Sequence, residues 1–250
     1  MKNNKDKSKI EKQIGEIEGR ARVLSDFQLK FVAFIAFSWS LFQLWYASPL
    51  PFLLDFGKFI DVPARAIHLA FGMGLCFLAY PSLKSKRTSS INITDFVLAL
   101  VSLVVTIYLV IEYERLVYRQ GILATANIFG FNIPYELILG GVGILLLLEA
   151  TRRAIGIPLV AIALIFLLFS IFGQKMPDLI SHQGLSINRL IGYHWFGGEA
   201  IFGIPISVSV SFIFLFVLFG AILDTAGGGK YFLDLAFALV GKMRGGPAKA

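Results

Sequence analysis

The stretch 201–223 contains no charged side chain and is built mostly from Phe, Leu, Ile and Val. Roughly 17–25 mostly apolar residues are needed for a helix to cross the hydrocarbon core of a bilayer, because each backbone N–H and C=O must be satisfied within the segment. Five further blocks approach the same description, at 27–47, 64–83, 93–113, 133–150 and 155–173. The chain is 56% hydrophobic and only 16% charged, whereas ordinary globular domains carry about a quarter charged residues. Its apolar surplus therefore faces lipid. The expected fold is an all-α polytopic transmembrane helical bundle of about six spans, with no soluble globular domain.

Local signals mark the ends of these blocks. Trp45 and Tyr46 form an aromatic pair of the kind found at headgroup level, and Ser48, Pro49 and Pro51 stop the first block. Arg65 is placed to snorkel at the start of the second block, and Tyr80 and Pro81 close it. Asn92 or Thr94 is expected to cap the third, with Asp95 at the positive end of its dipole. The fourth is the shortest, starts at Pro134, and carries Glu136 and Glu149 near its two ends.

The net charge of +7 would suggest nucleic acid in a soluble protein, but here the cations are gathered between blocks. Lys2, Lys5, Lys7, Lys9, Lys12, Arg20, Arg22 and Lys30 precede or open the first block. Lys84, Lys86 and Arg87 follow the second, Arg152 and Arg153 the fourth, and Lys230, Lys242, Arg244 and Lys249 the sixth. Every second connection is basic, which places the amino terminus and those connections in the cytoplasm. The first block follows a long charged tail and lacks a small-residue cleavage site, which argues against a signal peptide. Within that tail, Ile10, Ile14 and Ile17 form a narrow apolar stripe on a charged helix that is solvated or lies on the membrane surface.

No catalytic motif or metal-ligand spacing emerges. His68 stands alone in a span, His182 and His194 are too far apart for one helical face, and Cys76 has no partner for an intrachain disulfide. The run Asp224-Thr225-Ala226-Gly227-Gly228-Gly229-Lys230 lacks the first Gly and the final Ser or Thr of a phosphate loop, and reads as a helix stop. An intramembrane enzyme would need paired polar groups at one depth, and only His68, Glu136 and Glu149 are on offer. Glu136 and Glu149 are expected to anchor helix ends, Glu149 by pairing with Arg152 or Arg153 one turn later. Ala66, Ala70 and Gly74 share a face of the second block, as Glu136, Gly140 and Gly143 do on the fourth, so neighbouring backbones are expected to approach closely there. The segment 186–205, with Leu190, Ile191, Trp195, Phe196, Ile201 and Phe202 among Arg189, His194 and Glu199, is expected to lie along the outer membrane face. Ser207, Ser209 and Ser211 are candidates for a helix contact in the sixth block.

The stretch 145–156, LLLLEATRRAIG, resembles the fused permease of the tripartite ATP-independent periplasmic (TRAP) transporters. So does 198–250, with Gly203-Ile204-Pro205, the Phe-rich span, the Gly run and Arg244-Gly245-Gly246-Pro247-Ala248 in the family's order. The likeness is greatest to the 4TM/12TM fusion type that works with a TAXI-class solute-binding protein; over the first four blocks it is topological only. It implies a charged cytoplasmic tail over 1–26, a small-subunit-like four-helix scaffold over 27–150, and the start of the large transport subunit over 151–250. It also implies a multi-pass protein of the bacterial inner membrane and sodium-driven symport of a small organic acid delivered by an extracytoplasmic binding protein. That protein would dock on the outward connections 112–134 and 175–205, where Arg119 and Arg189 lie. An elevator-type movement against the scaffold is implied too, with no organic cofactor and Na+ as the coupling ion. The family's substrate and sodium ligands are expected beyond Ala250, in a longer polypeptide of which these residues are the amino-terminal portion. A non-transporting membrane scaffold or assembly subunit is the alternative reading.

Overall fold

A computed structural model describes residue 22 and residues 24–59, 62–82, 90–119, 122–128 and 131–240. The tail stripe of Ile10, Ile14 and Ile17, the basic stretch 84–87 and residues 241–250 lie outside the described residues.

Helix α1 (Asp26–Ala47) ends where the Ser48 hydroxyl donates to the Trp45 carbonyl, at 2.9 Å. A single turn, α2 (Leu50–Leu53), follows it. The chain then reverses through Asp55 (φ 53°) and Gly57 (φ 62°), and Trp45 Nε1 donates to the Gly57 carbonyl at 3.3 Å. Helix α3 (Val62–Ala79) returns across the bundle and α4 (Ile93–Tyr118) crosses it again. Asn92 is the cap residue of α4 through its extended backbone, with no side-chain hydrogen bond.

A short antiparallel hairpin, β1 (Ala126–Ile128) with β2 (Phe131–Ile133), interrupts the otherwise helical fold before α5 (Tyr135–Ala154). Helix α6 (Ile157–Phe172) starts after Gly156, whose φ of 126° only glycine adopts without strain, and continues into a 3-10 turn at Gly173–Lys175. Helix α7 (Ile187–Ile191) runs on as a π-helical segment, Gly192–Phe196. Helices α8 (Ile204–Val208) and α9 (Phe214–Thr225), joined by a π-helical turn at Ser209–Ile213, form one continuous rod. Gly227 (φ 80°) then stops the rod, as the glycine run predicts, and α10 (Gly228–Val240) begins.

Among the described residues, five helices are long and apolar enough to cross a membrane: α1, α3, α4, α6 with its 3-10 turn, and the α8–α9 rod. The architecture is that of an all-α polytopic bundle. The expected fourth span, α5, is a full helix but falls outside these five. Its charges Glu136, Glu149, Arg152 and Arg153 lie on it, and it buries Glu136, Gly140, Gly143, Ala150 and Arg153 among its neighbours. It is the central helix, packed by α3, α4, α6 and α7. In lipid, apolar surface gains little from leaving the solvent, so small residues and satisfied polar groups decide which helices associate.

Two expectations are corrected by this packing. The apolar side of the segment 186–205 does not face lipid: Leu190, Ile191, Trp195, Phe196 and Phe202 are all buried, Trp195 completely. The glycines of α5 likewise do not draw a neighbouring backbone close. They clear a slot for that segment, since a Cβ on Gly140 would meet Ile191 Cγ2 at 2.5 Å and one on Gly143 would run into the Trp195 indole. The amphipathic pattern is real, but its apolar side wedges into α5 instead of lipid.

Candidate functional site

Three polar clusters tie the helices together, one near each end of the bundle and one within it. At the end where α3 finishes, Asp95 of α4 pairs with Arg22 and, at 2.7 Å, with Arg153 Nη1 of α5. Glu149 binds both expected partners, Arg152 Nε at 2.7 Å and Arg153 Nε at 2.7 Å. Arg153 Nη1 also donates to the Tyr80 carbonyl and its guanidinium sits 5.0 Å from the centre of the Phe77 ring. Arg152 Nη2 donates to the Ser82 carbonyl at 3.0 Å. Ser82, the last described residue of the second block, thus lies at the same end of the bundle as Arg152 and Arg153.

At the opposite end Glu136 is fully buried and receives four donors. Arg119 Nη1 and Nη2 donate at 3.0 and 2.5 Å, Tyr108 Oη at 2.6 Å and the Ala124 N–H at 2.5 Å. The hydrogen bonds to Glu136 hold the Arg119 pKa above even its high ordinary value, so the pair stays ionised. Glu136 therefore anchors the start of α5 internally, away from the lipid boundary. Arg119, expected on a docking surface, has its guanidinium engaged in that anchor. Arg189 is exposed; its backbone N–H donates to the Ser186 hydroxyl oxygen, which caps α7.

The third cluster gives His68, which stands alone in its span by sequence, polar partners on other helices. Trp39 and Gln43 stand four residues apart on α1, hence on one face, and that face meets His68 of α3. Trp39 Nε1 donates to His68 Nδ1 at 3.1 Å, and Gln43 Nε2 approaches the same nitrogen at 3.0 Å. An indole N–H only donates, so Nδ1 accepts and the neutral imidazole carries its hydrogen on Nε2. That hydrogen points to Ser209 Oγ at 3.1 Å. Ser209 opens the π turn, and a π turn displaces backbone carbonyls from their usual partners; the Val210 carbonyl accepts from Gln43 Nε2 at 3.2 Å. The Trp39 ring packs at 4.9 Å from His68 and 4.7 Å from Phe214. Gln43 Oε1 is buried without a hydrogen-bond partner among the described residues. Of the other candidate serines, Ser211 bonds back to the Ser207 carbonyl of its own helix at 2.7 Å.

The remaining sequence candidates do not join these clusters. His182 staples its loop, bonding the Phe169 carbonyl at 3.0 Å and the Gly184 N–H at 3.1 Å. His194 bonds the Leu190 carbonyl at 2.9 Å, and Cys76 Sγ the Ala150 carbonyl at 3.3 Å. Among the described residues no three His, Cys, Asp or Glu side chains come together in a way that could hold a metal ion. Sequence reasoning passed over Trp39, Gln43 and Tyr108. The available signal was a glutamine in mid-span, one turn from a tryptophan.

Residues 142–250 match the family model described as the tripartite ATP-independent periplasmic transporter, DctM component. No curated protein and no solved structure matches the chain. The match starts inside α5 and takes in every helix after it. That part of the chain is thus similar to the membrane permease component of a transporter, and the five apolar helices suit a multi-pass membrane protein.

Proposed function

We propose that this chain carries the scaffold helices and the first transport-side helices of a fused TRAP permease. The proposed transporter takes up a small organic acid by sodium symport after delivery by an extracytoplasmic solute-binding protein of the TAXI class. The observation that carries the reading is the DctM match over 142–250, in one polypeptide with a four-helix stretch that precedes most of it. On this reading 27–150 is the scaffold portion and 151–250 the start of the transport portion. The amino terminus and the Arg152–Arg153 end face the cytoplasm of a bacterial inner membrane, and the hairpin and the 175–205 connection face outward.

The residues described here act mechanically. Asp95 and Glu136 tie the α4 side to α5, and Glu149 orients Arg152 and Arg153, which reach the Ser82 and Tyr80 carbonyls just past α3; breaking such a pair leaves an uncompensated charge among helices. His68 of α3 and Gln43 of α1 join these helices to Ser209 and Val210, and Arg65 Nη1 adds a hydrogen bond to the Phe202 carbonyl at 2.7 Å. A fixed scaffold needs such joints if another part is to move substrate past it.

The test is uptake into proteoliposomes by the full-length gene product, with and without an imposed sodium gradient and with and without its binding protein. Uptake of an organic acid that needs both supports the proposal. Uptake driven equally well without sodium, or without the binding protein, refutes the coupling assigned here. A preparation that inserts and folds but moves nothing under any condition favours the assembly-subunit alternative.

A further inference from the structure

The turn between α1 and α3 carries its apolar side chains outward. Five large ones within 50–56, Leu50, Phe52, Leu53, Leu54 and Phe56, are between 44% and 74% exposed. A patch of this kind marks contact with a membrane or with another protein. Depth, backbone and charge each select the membrane.

Helix α1 has 22 residues. At 1.5 Å per residue it is roughly 33 Å long, against a hydrocarbon core about 30 Å thick. A helix of that length delivers Ala47 to headgroup level. The chain beyond it then folds back along α1 instead of rising into water. Phe56 packs on Trp45 with ring centres 6.3 Å apart, Trp45 Nε1 donates to the Gly57 carbonyl, and the Phe59 ring lies 6.0 Å from that of Phe42. Phe42 stands five residues before the end of α1, so by Phe59 the chain has returned roughly 7 Å toward the middle of the bilayer. The segment 50–56 is therefore confined to the interfacial layer, beside a tryptophan, a side chain enriched at that level.

The backbone suits lipid contact. A turn in water can leave its N–H groups to the solvent, whereas one against lipid has to satisfy them internally. Pro49 and Pro51 have no N–H. The N–H of Leu50 donates to Ser48 Oγ at 3.3 Å, those of Phe52 and Leu53 to the Pro49 carbonyl at 3.1 Å, that of Leu54 to the Leu50 carbonyl at 2.9 Å and that of Phe56 to the Pro51 carbonyl at 3.2 Å. Every one of the five exposed apolar residues thus has its own N–H bonded within the turn. The two charged residues of 48–59, Asp55 and Lys58, pair with each other. The turn carries no net charge, and apolar area alone supplies its attraction.

We propose that residues 50–56 are an interfacial anchor, with Phe52, Leu53 and Leu54 seated in the headgroup–acyl boundary of the leaflet at the Glu136 end of the bundle. On the orientation proposed above, this is the outer leaflet. The anchor sets how deep α1 sits, in a helix whose only buried residue is Gln43. It requires α1 to cross the bilayer, which the test reads separately.

The full-length gene product, with its native cysteines replaced by serine, receives a single cysteine by Leu53→Cys or, as reference, by Phe37→Cys, exposed midway along α1. Each is labelled with nitrobenzoxadiazole and reconstituted in phosphatidylcholine vesicles. Quenching is compared for nitroxide lipids labelled near the headgroup, nitroxide lipids labelled near the chain end, and iodide in the water. Apolar faces settle about 5–10 Å into the headgroup–acyl boundary, so Leu53→Cys is expected to be quenched about twofold or more better by the shallow nitroxide than by the deep one or by iodide. Phe37→Cys is expected to prefer the deep nitroxide. Adding Phe52→Glu with Leu54→Glu is expected to move the label at 53 from nitroxide to iodide quenching and to leave Phe37→Cys as it was. Quenching of Leu53→Cys mainly by iodide places the turn in water, and quenching by no agent places it under protein; either overturns the proposal while Phe37→Cys keeps α1 as a span. If Phe37→Cys escapes both nitroxides, the span itself is refuted and the anchor with it. Unchanged quenching in the double glutamate variant also overturns the proposal, because the lipid contact would then belong to α1 alone. Should that variant fail to fold, the Leu53→Cys comparison decides.

Discussion

Replacing His68 with Phe isolates what holds α1 in place. The only buried residue of α1 is Gln43, and α1 gains little by burying apolar surface that lipid would cover equally well. Its register therefore depends on the hydrogen bonds of Trp39 and Gln43. Phe keeps the ring that packs against Trp39 at 4.9 Å and Phe214 at 5.9 Å, and removes both nitrogens. Three of the four hydrogen bonds in the cluster go, those with Trp39, Gln43 and Ser209; Gln43 to the Val210 carbonyl stays. At about 0.6 kcal/mol each, the average for interhelical hydrogen bonds in a membrane, the loss is about 2 kcal/mol. That is roughly a thirtyfold shift toward the detached state. Equilibrium unfolding in mixed micelles reads the loss directly, and a double-mutant cycle with Trp39→Phe separates it from packing. The pair is expected to be non-additive by about 0.6–1.7 kcal/mol, because each substitution removes the same bond. A His68→Phe protein within about 0.5 kcal/mol of wild type, with additive effects, would show that α1 is held by something else.

Glu136→Gln keeps the shape of the side chain but leaves the Arg119 guanidinium without its counter-ion. Because Arg119 is only partly buried, the expected cost is near the low end for a broken buried pair, about 3 kcal/mol. The double change Arg119→Met with Glu136→Gln, which removes the stranded charge and keeps an acceptor for Tyr108 and Ala124, should recover most of it in the same unfolding assay. Gly143→Leu puts a side chain where the Trp195 indole lies, and overpacking of this kind costs about 1–3 kcal/mol. Limited proteolysis should then cut between residues 186 and 203 faster than in wild type, whereas Gly74→Leu, which meets open space, should leave the cleavage rate unchanged.

Span existence was legible in the sequence because bilayer thickness fixes a minimum length, and the Pro, Gly and Ser stops at Ser48, Pro134 and Gly227 mark boundaries that the structure keeps. The pairing of Glu149 with Arg152 and Arg153 was legible because helical geometry brings residues three and four apart together. The partners of His68 were not legible for the opposite reason: Gln43, Trp39 and Ser209 are 25, 29 and 141 residues away, and no local periodicity encodes such an encounter. The 186–205 segment was misplaced because an amphipathic pattern states that one side is apolar without stating what covers it. Lipid and the glycine slot of α5 satisfy the same sequence.

The polar joints also locate where the second half of the chain is held and where it is free. Helix α6 has no buried residue, and neither does α9. Tight contact with residues beyond 200 is concentrated at Phe202, Ser209 and Val210, the first of which packs on Trp195 with ring centres 5.5 Å apart. Among the described residues the rod is thus clamped at one end, through Phe214 on Trp39 and His68, and has no buried residue along the rest of α9, with the π turn at the junction. The π turn has already absorbed one extra residue, so a change of register needs a deletion in the regular helix beyond it, such as that of Phe216, which is exposed. The clamp at Ser209 and Val210 would remain, and everything after the deletion would rotate by about 100°, the angle per residue of a helix. If the proposed transport function is correct, the full-length gene product with this deletion should insert and unfold like wild type, yet lose uptake in proteoliposomes. Undiminished uptake would mean that the direction in which α9 leaves the clamp does not matter to transport, and the clamp would then be an assembly feature alone.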